Sequence, residues 1–339
     1  MRALRLVDTQ TFELVDVPTP EPGPGEVLVR VGGAGLCHSD LHLLHNPRPL
    51  ERPFTIGHET AGWVAATGIG VRGLEEGDAV AVHGAWGCGL CKPCVAGLEQ
   101  HCRHTMGAEG SGLFRDGGMA EYLLVPSPRH LAPLGDLDPS VAAPLDDAAL
   151  TPYSAIKGSA RQLLPDATAL VIGVGGLGHM AVQILAATTA TRIIAVDSDP
   201  HKLTLALELG AEQALLGGPD AAAEIAEATG GAGVAAVFDF VGVDATLALA
   251  AAVVTRQSKI VVVGVGGGTL PFNFYTMPYN CPVQSTFWGS MAEFREVLAL
   301  AAAGRIAVRS ERVALRDAIG AYARLEKGAL GAARAVAVP

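Results

Sequence analysis

The stretch Ala169-Leu170-Val171-Ile172-Gly173-Val174-Gly175-Gly176-Leu177-Gly178 decides the fold. Four apolar residues read as a buried strand and run straight into G-x-G-x-x-G. A helical run, Ala181 to Ala187, follows. Glycines let the backbone approach a pyrophosphate, and the helix N-terminus offers free N–H groups and a positive dipole end. The next strand, Arg192 to Val196, ends in Asp197, 19 residues after Gly178. A carboxylate there accepts both hydroxyls of an adenosine ribose and repels a 2′-phosphate, so NAD is expected over NADP. The glycine pattern alone is weak. Its rival is a glycine turn in some other Rossmann-like fold, against which strand, helix and acid count together.

Outward from this unit, apolar strands alternate with Ala/Leu-rich helices. Lys202 to Leu209 reads as a helix, and Ala235 to Phe240 and Lys259 to Val263 as strands. This rhythm predicts an α/β fold with a doubly wound parallel sheet over residues 149–288. Earlier, short strands separated by turns prevail. Val27 to Val31 follows the Pro/Gly-rich Pro18 to Gly25, and Thr60 to Ala66 and Ala79 to His83 look similar. After residue 289 only about 50 residues remain, too few for a third domain. Residues 289–339 are therefore expected to fold back onto a mostly β domain formed by residues 1–148.

Composition limits the partners. Half of the 339 residues are hydrophobic, yet no apolar run approaches the ~18 residues of a membrane span. The net charge of -10 argues against nucleic acid or anionic membrane as a partner. The N-terminal sequence does not read as a signal peptide, so a cytoplasmic location is expected.

Five of the six cysteines fall between Cys37 and Cys102. Cys88, Cys91, Cys94 and Cys102 form C-x2-C-x2-C-x7-C, which can close a tetrahedral zinc shell within one loop. Such a site leaves no open position and reads as structural. An iron–sulfur cluster is the rival, but the fourth cysteine fits it less well and no second cluster motif is present. Two other segments, Cys37-His38-Ser39-Asp40 and Gly57-His58-Glu59, do not explain themselves by spacing.

These segments, with Gly35-Leu36, the four-cysteine loop, the glycine turn, Asp197, Asp147-Ala148-Ala149-Leu150-Thr151 and Arg334, carry a resemblance. The chain resembles the zinc-containing medium-chain alcohol dehydrogenases over essentially its whole length. Among them it is most similar to the bacterial secondary-alcohol dehydrogenases, which are commonly NAD-linked. The resemblance implies a GroES-like catalytic domain beside the Rossmann domain, two zinc ions per chain, and a homodimer or homotetramer, often built by edge pairing of nucleotide-binding sheets. It implies a catalytic zinc on Cys37, His58 and Asp147, where many relatives carry a cysteine as the third ligand. Asp146 is adjacent, but Asp147 has the family's spacing to Thr151, so Asp147→Ala is expected to abolish turnover and Asp146→Ala to affect it mildly. Asp40 would orient His58, and Glu59 would lie near the zinc. Around NAD, the resemblance places Gly173, Gly175, Gly176 and Gly178 at the phosphates. It puts His38 and Arg334 near the pyrophosphate, Lys202 near the ribose and Thr151 beside the nicotinamide.

The implied reaction is reversible hydride transfer between an alcohol and NAD. It needs a proton outlet. Ser39 lies two residues beyond Cys37, and His42 lies one helical turn further if the segment is helical. In relatives the proton passes from hydroxyl to cofactor ribose to histidine. Trp86, Phe54, Phe287 and Trp288 are possible pocket walls for a small-molecule substrate. A quinone or enoyl reductase of the same fold lacks the Cys37/His58/Asp147 set. A non-enzymatic binding role would tolerate loss of a zinc ligand or of the glycine turn, and neither is lost. We predict a higher kcat/KM with NAD than with NADP, and a narrower gap in Asp197→Ser. Equal wild-type values for the two cofactors would refute the role of Asp197.

Overall fold

The computed structural model describes residues 1–8, 10–46, 53–105 and 109–339. Two compact units divide the chain. One comprises residues 1–150, 288–303 and 308–339, the other residues 151–287 and 304–307.

The second unit is built on six parallel strands. Their order is Gln213–Leu216, Arg192–Asp197, Thr168–Ile172, Val234–Asp239, Val254–Val262 and Val283–Ser285. By chain position this is 3-2-1-4-5-6, the doubly wound order expected from the sequence rhythm. Every residue of Thr168–Ile172 is buried, because helices pack on the sheet and leave little of a central strand to solvent. Gly178–Thr188 follows the glycine turn, and Pro200–Glu208 follows Asp197 with Asp199 as its N-cap. One strand starts five residues earlier than its apolar run indicates. Val254 pairs with Val234, a register shift follows, and Lys259 pairs with Ala236. The exposed Thr255-Arg256-Gln257 in between hides this start from a hydropathy reading.

The first unit centres on a seven-stranded sheet. Its path runs Leu131–Pro133, Ala79–Val82, Glu59–Thr67, Val27–Leu36, Arg334–Val338 and Ser310–Ala314, and Tyr122–Val125 also pairs with Val27–Leu36. Arg334–Val338 lies antiparallel to Val27–Leu36. Leu4, Leu6, Val29, Leu36, Ile56, Met119 and Leu123 form the centre of this unit's core. Among the described residues, no helix is long and apolar enough to cross a membrane.

The glycine turn separates two kinds of glycine. A Cβ on Gly178 would stand 1.7 Å from the Gly173 carbonyl oxygen, so helix and strand pack there at a distance only glycine permits. A Cβ on Gly175 would meet nothing within 4 Å. Gly178→Ala is therefore expected to destabilise the fold by about 3 kcal/mol, the top of the usual overpacking range. Gly175→Ala should change stability by less than about 0.5 kcal/mol. Thermal unfolding of the two variants checks this, and equal losses would contradict it.

Candidate metal centre and dinucleotide site

Strand register assembles the first group of polar residues. Val27–Leu36 and Glu59–Thr67 are antiparallel with Gly35 opposite Glu59. Cys37, just past the end of one strand, therefore lies near His58, just before the start of the other. Ala335 pairs with Leu36, which brings Arg334 to the same end. Asp147 follows the 3-10 turn Ala143–Asp146 and completes the group.

The donor atoms of Cys37, His58 and Asp147 all lie within 4.8 Å of one another. Asp147 Oδ2 is 3.5 Å from Cys37 Sγ and 3.6 Å from His58 Nε2. Zinc bonds of ~2.0–2.3 Å in a tetrahedron give edges of about 3.3–3.8 Å. The set thus fits one zinc ion, and its three donors leave a fourth position open. The electrostatics agree. Burial opposes a charge on His58, but Asp40 and Asp147 outweigh it and hold the imidazole well above its ordinary pKa. The pocket favours a cation.

The outer contacts hold these donors in place. Asp40, fully buried, faces His58 Nδ1 at 3.2 Å through Oδ1. Its Oδ2 accepts from Tyr322 Oη at 2.7 Å and from the Cys37 backbone N–H at 3.1 Å. Glu59 accepts from Arg334 through both oxygens and from the Ala148 N–H. Burial pushes the Glu59 carboxyl up, Arg334 pulls it back, and the result is about 7. Arg334 turns its buried guanidinium toward Glu59 and toward Asp147 at 3.4 Å. Ser39 Oγ is 3.5 Å from Cys37 Sγ. The segment His38–Leu44 is helical, so Ser39 and the exposed His42 lie one turn apart.

The structure gives Asp146 contacts that support the fold. Its side chain is fully buried, and Oδ2 accepts from the Gly84 N–H at 2.8 Å. Its backbone carbonyl accepts from Trp288 Nε1 at 3.0 Å. Removing such a carboxyl cannot be neutral for stability. Of the aromatic residues considered as pocket walls, Phe54 and Trp86 belong to the core. Trp288 stands edge-on to His58 with centroids 5.9 Å apart, in left-handed backbone at φ 53°. Non-glycine residues in that region are uncommon and concentrate at functional sites.

The four cysteines gather in a second group. Sγ separations are 3.4 Å for Cys91–Cys94 and 3.9 Å for both Cys88–Cys94 and Cys91–Cys102. A zinc tetrathiolate with ~2.3 Å bonds has edges of about 3.8 Å. Backbone N–H groups of Cys91 and Leu90 point at Cys88 Sγ, and those of Cys88 and His104 at Cys102 Sγ. Such donors favour thiolate. Glu99 accepts from the Gly87 N–H, and Arg129 bonds both Glu99 and the Gly87 carbonyl, tying down the entry to the loop.

In the other unit, Gly173 has φ 85°, and the space beside Gly175 is open to a ligand. Asp197 Oδ2 accepts from the Val174 N–H at 2.7 Å, which locks the acid against the glycine turn. Lys202 Nζ lies 3.9 Å from Asp197 Oδ1. Thr151 is buried near the start of the helix Leu150–Lys157, and His38 is exposed at the start of its own.

Residues 23–136 match the alcohol dehydrogenase GroES-like domain, and residues 176–303 match the zinc-binding dehydrogenase domain. An NAD-dependent alcohol dehydrogenase of Sulfurisphaera tokodaii is 36% identical over 320 residues, 90% of each chain. The chain belongs to the zinc-binding alcohol dehydrogenases. The crystal structure of the alcohol dehydrogenase from Aeropyrum pernix is similar with a TM-score of 0.92, 36% identity and full coverage of both chains. A D-arabinose 1-dehydrogenase (NADP(+)) of Saccharolobus solfataricus is 31% identical over 94% of this chain and 92% of its own.

For this member of the alcohol dehydrogenases, the sequence reading missed Tyr322. The tyrosine stands 282 residues from Asp40, and nothing in its local sequence marks it as polar support for a metal ligand. We predict two zinc ions per chain of unequal lability, with a chelator removing the one at Cys37/His58/Asp147 first. Asp147→Ala should fold and hold one zinc. Asp146→Ala should hold two but lose about 1–3 kcal/mol of stability. Zinc content and melting temperature of both variants decide the assignment, which the reverse pattern would overturn.

Proposed function

We propose that the chain transfers hydride reversibly between NAD(H) and a primary or secondary alcohol or the corresponding aldehyde or ketone. The convergence of Cys37, His58 and Asp147 supports this most directly, because three protein donors are the mark of a catalytic rather than a structural zinc. When bound there, zinc supplies Lewis acidity toward the alcohol or carbonyl oxygen. A bound NAD would supply the hydride acceptor.

The chain's own residues have the remaining work. Asp40 fixes the ring of His58, and Arg334 fixes Glu59 beside the ligands. Val174 and Asp197 hold the start of the glycine turn in shape, and Asp197 with Lys202 selects the ribose. Gly173, Gly175, Gly176 and Gly178 cradle the pyrophosphate, with His38 beside it and Thr151 at the nicotinamide. The second zinc, on Cys88, Cys91, Cys94 and Cys102, keeps its loop folded. Asp197 weighs against the NADP named for the arabinose dehydrogenase, whatever the sugar preference.

Alcohol oxidation also yields a proton. Ser39 is half-buried beside Cys37, while His42 is exposed one turn further along the helix. Ser39 would accept this proton while giving up its own hydroxyl proton outward, and His42 would deliver a proton to water.

We also infer a cytoplasmic homodimer or homotetramer. The described cysteines form no disulfide, as a reducing compartment favours. The six-stranded sheet ends on Val283–Ser285, and exposed Phe272, Phe274 and Tyr275 precede that edge. An unpaired edge with aromatics beside it favours pairing with a second copy.

The test is a screen of primary alcohols, secondary alcohols and ketones with NAD(H) and NADP(H), before and after chelation. Turnover that survives removal of the labile metal would overturn the proposal. For the relay, His42→Gln should slow alcohol oxidation several-fold, most strongly between about pH 6 and 7, and added imidazole should partly restore the rate. An unchanged pH profile, taken where deprotonation or hydride transfer limits the rate, removes His42 from the mechanism.

A further inference from the structure

Between Asp40 and the C-terminal helix Ala318–Glu326 lies a contact that none of the chemistry above requires. Tyr322 is buried, and its hydroxyl donates to Asp40 Oδ2 at 2.7 Å. The same oxygen accepts the Cys37 N–H, and the other oxygen faces His58 Nδ1. One carboxylate therefore touches the backbone of one zinc ligand and the ring of another, and Tyr322 is the side chain that fixes its orientation. A second contact joins the two helices, since Glu326, one turn after Tyr322, pairs with His45 at 2.8 Å. That pair is half-exposed and contributes little, whereas the buried hydroxyl–carboxylate bond is shielded from water.

We infer that Tyr322 is a positioning residue for the catalytic zinc, setting through Asp40 how tightly Cys37 and His58 grip the ion. The inference rests on the zinc reading of Cys37, His58 and Asp147. Without the hydroxyl, Asp40 keeps only the Cys37 N–H and its contact with His58, and can rotate. A His58 ring no longer held at Nδ1 presents Nε2 less consistently, and the ion leaves faster. Carboxylates behind a zinc-bound histidine typically control metal affinity by 10–100-fold. One step further out, the lower end of that range applies.

Tyr322 also packs against Phe12, with ring centroids 5.1 Å apart. This neighbour separates a polar role from simple packing. The experiment compares wild type, Tyr322→Phe and Phe12→Leu, each loaded with zinc and challenged with a chromogenic chelator. The four-thiolate zinc of the same chain is the internal reference. We expect the labile zinc of Tyr322→Phe to leave about tenfold faster, with the reference zinc unchanged. Phe12→Leu should lower the melting temperature without altering either release rate. If Tyr322→Phe releases its labile zinc at the wild-type rate, or if both zinc ions accelerate together, the positioning role is refuted. Should Tyr322→Phe fail to fold, Asp40→Asn takes its place and must show the same selective acceleration. A wild-type chain holding only the thiolate zinc would instead overturn the zinc reading itself.

Discussion

The register between Val27–Leu36 and Glu59–Thr67 is the constraint on which the metal centre depends. With Gly35 opposite Glu59, the ends of two antiparallel strands deliver Cys37 and His58 to one place. A slip of one residue would turn every side chain to the other face of the sheet and separate them. Gly35 makes this register possible. A Cβ there would stand 1.8 Å from Glu59 Oε2, so only glycine leaves room for the acid to reach Arg334. The C-terminal strand adds Arg334 by the same means, through the pairing of Ala335 with Leu36.

This register concentrates charge where water is scarce. Asp40, Glu59 and Asp146 are all fully buried, and Arg334 nearly so. Burying single charges is costly, and breaking a buried pair costs more than forming it gains. Each acid has a distinct answer. Glu59 has a two-point contact with Arg334, Asp40 has Tyr322 and the Cys37 N–H, and Asp146 has the Gly84 N–H. Burial also drives the Asp146 carboxyl well above the ordinary carboxylate range, and the charge of Asp147 adds to the shift. Arg334 thus serves a group containing four acids, Asp40, Glu59, Asp146 and Asp147, and the Cys37 thiol around His58. A bound cation compensates such a group, which is why metal and fold are linked here.

The parts legible in the sequence are those whose chemistry is local. A strand, a glycine turn, a helix and an acid lie within the 29 residues from Ala169 to Asp197, and a doubly wound parallel sheet followed from the rhythm. The four cysteines declared themselves by spacing alone. Cys37, His58 and Asp147 did not, because their proximity comes from strand pairing rather than from any interval along the chain. Family resemblance supplied that set, and the strand register explains it. Resemblance was less informative about what each residue touches. It placed Arg334 near the pyrophosphate and left unseen its pairing with Glu59. It gave no warning that Asp146 is structural, since burial of one acid of an adjacent pair depends on where the Ala143–Asp146 turn lands. Tyr322 was invisible for the same reason as the zinc ligands, with no motif to compensate.

The two metal groups differ in what a bound ion would do for the chain. Cys88 and Cys102 are 14 residues apart, so an ion there closes one short loop. Its effect on folding is confined to a segment already tied down by Glu99 and Arg129. Cys37 and Asp147 are 110 residues apart, with His58 between them in sequence. An ion held by these residues joins the end of one strand, the start of its neighbour and the turn that closes the residue 1–150 segment. Closing a longer loop removes more freedom from the unfolded chain, though only with the logarithm of its length. The greater consequence is cooperative. The long-range ion can bind only after the register, the 3-10 turn and the C-terminal strand are in place, so its affinity reports on the whole unit. The thiolate loop can bind before any of them.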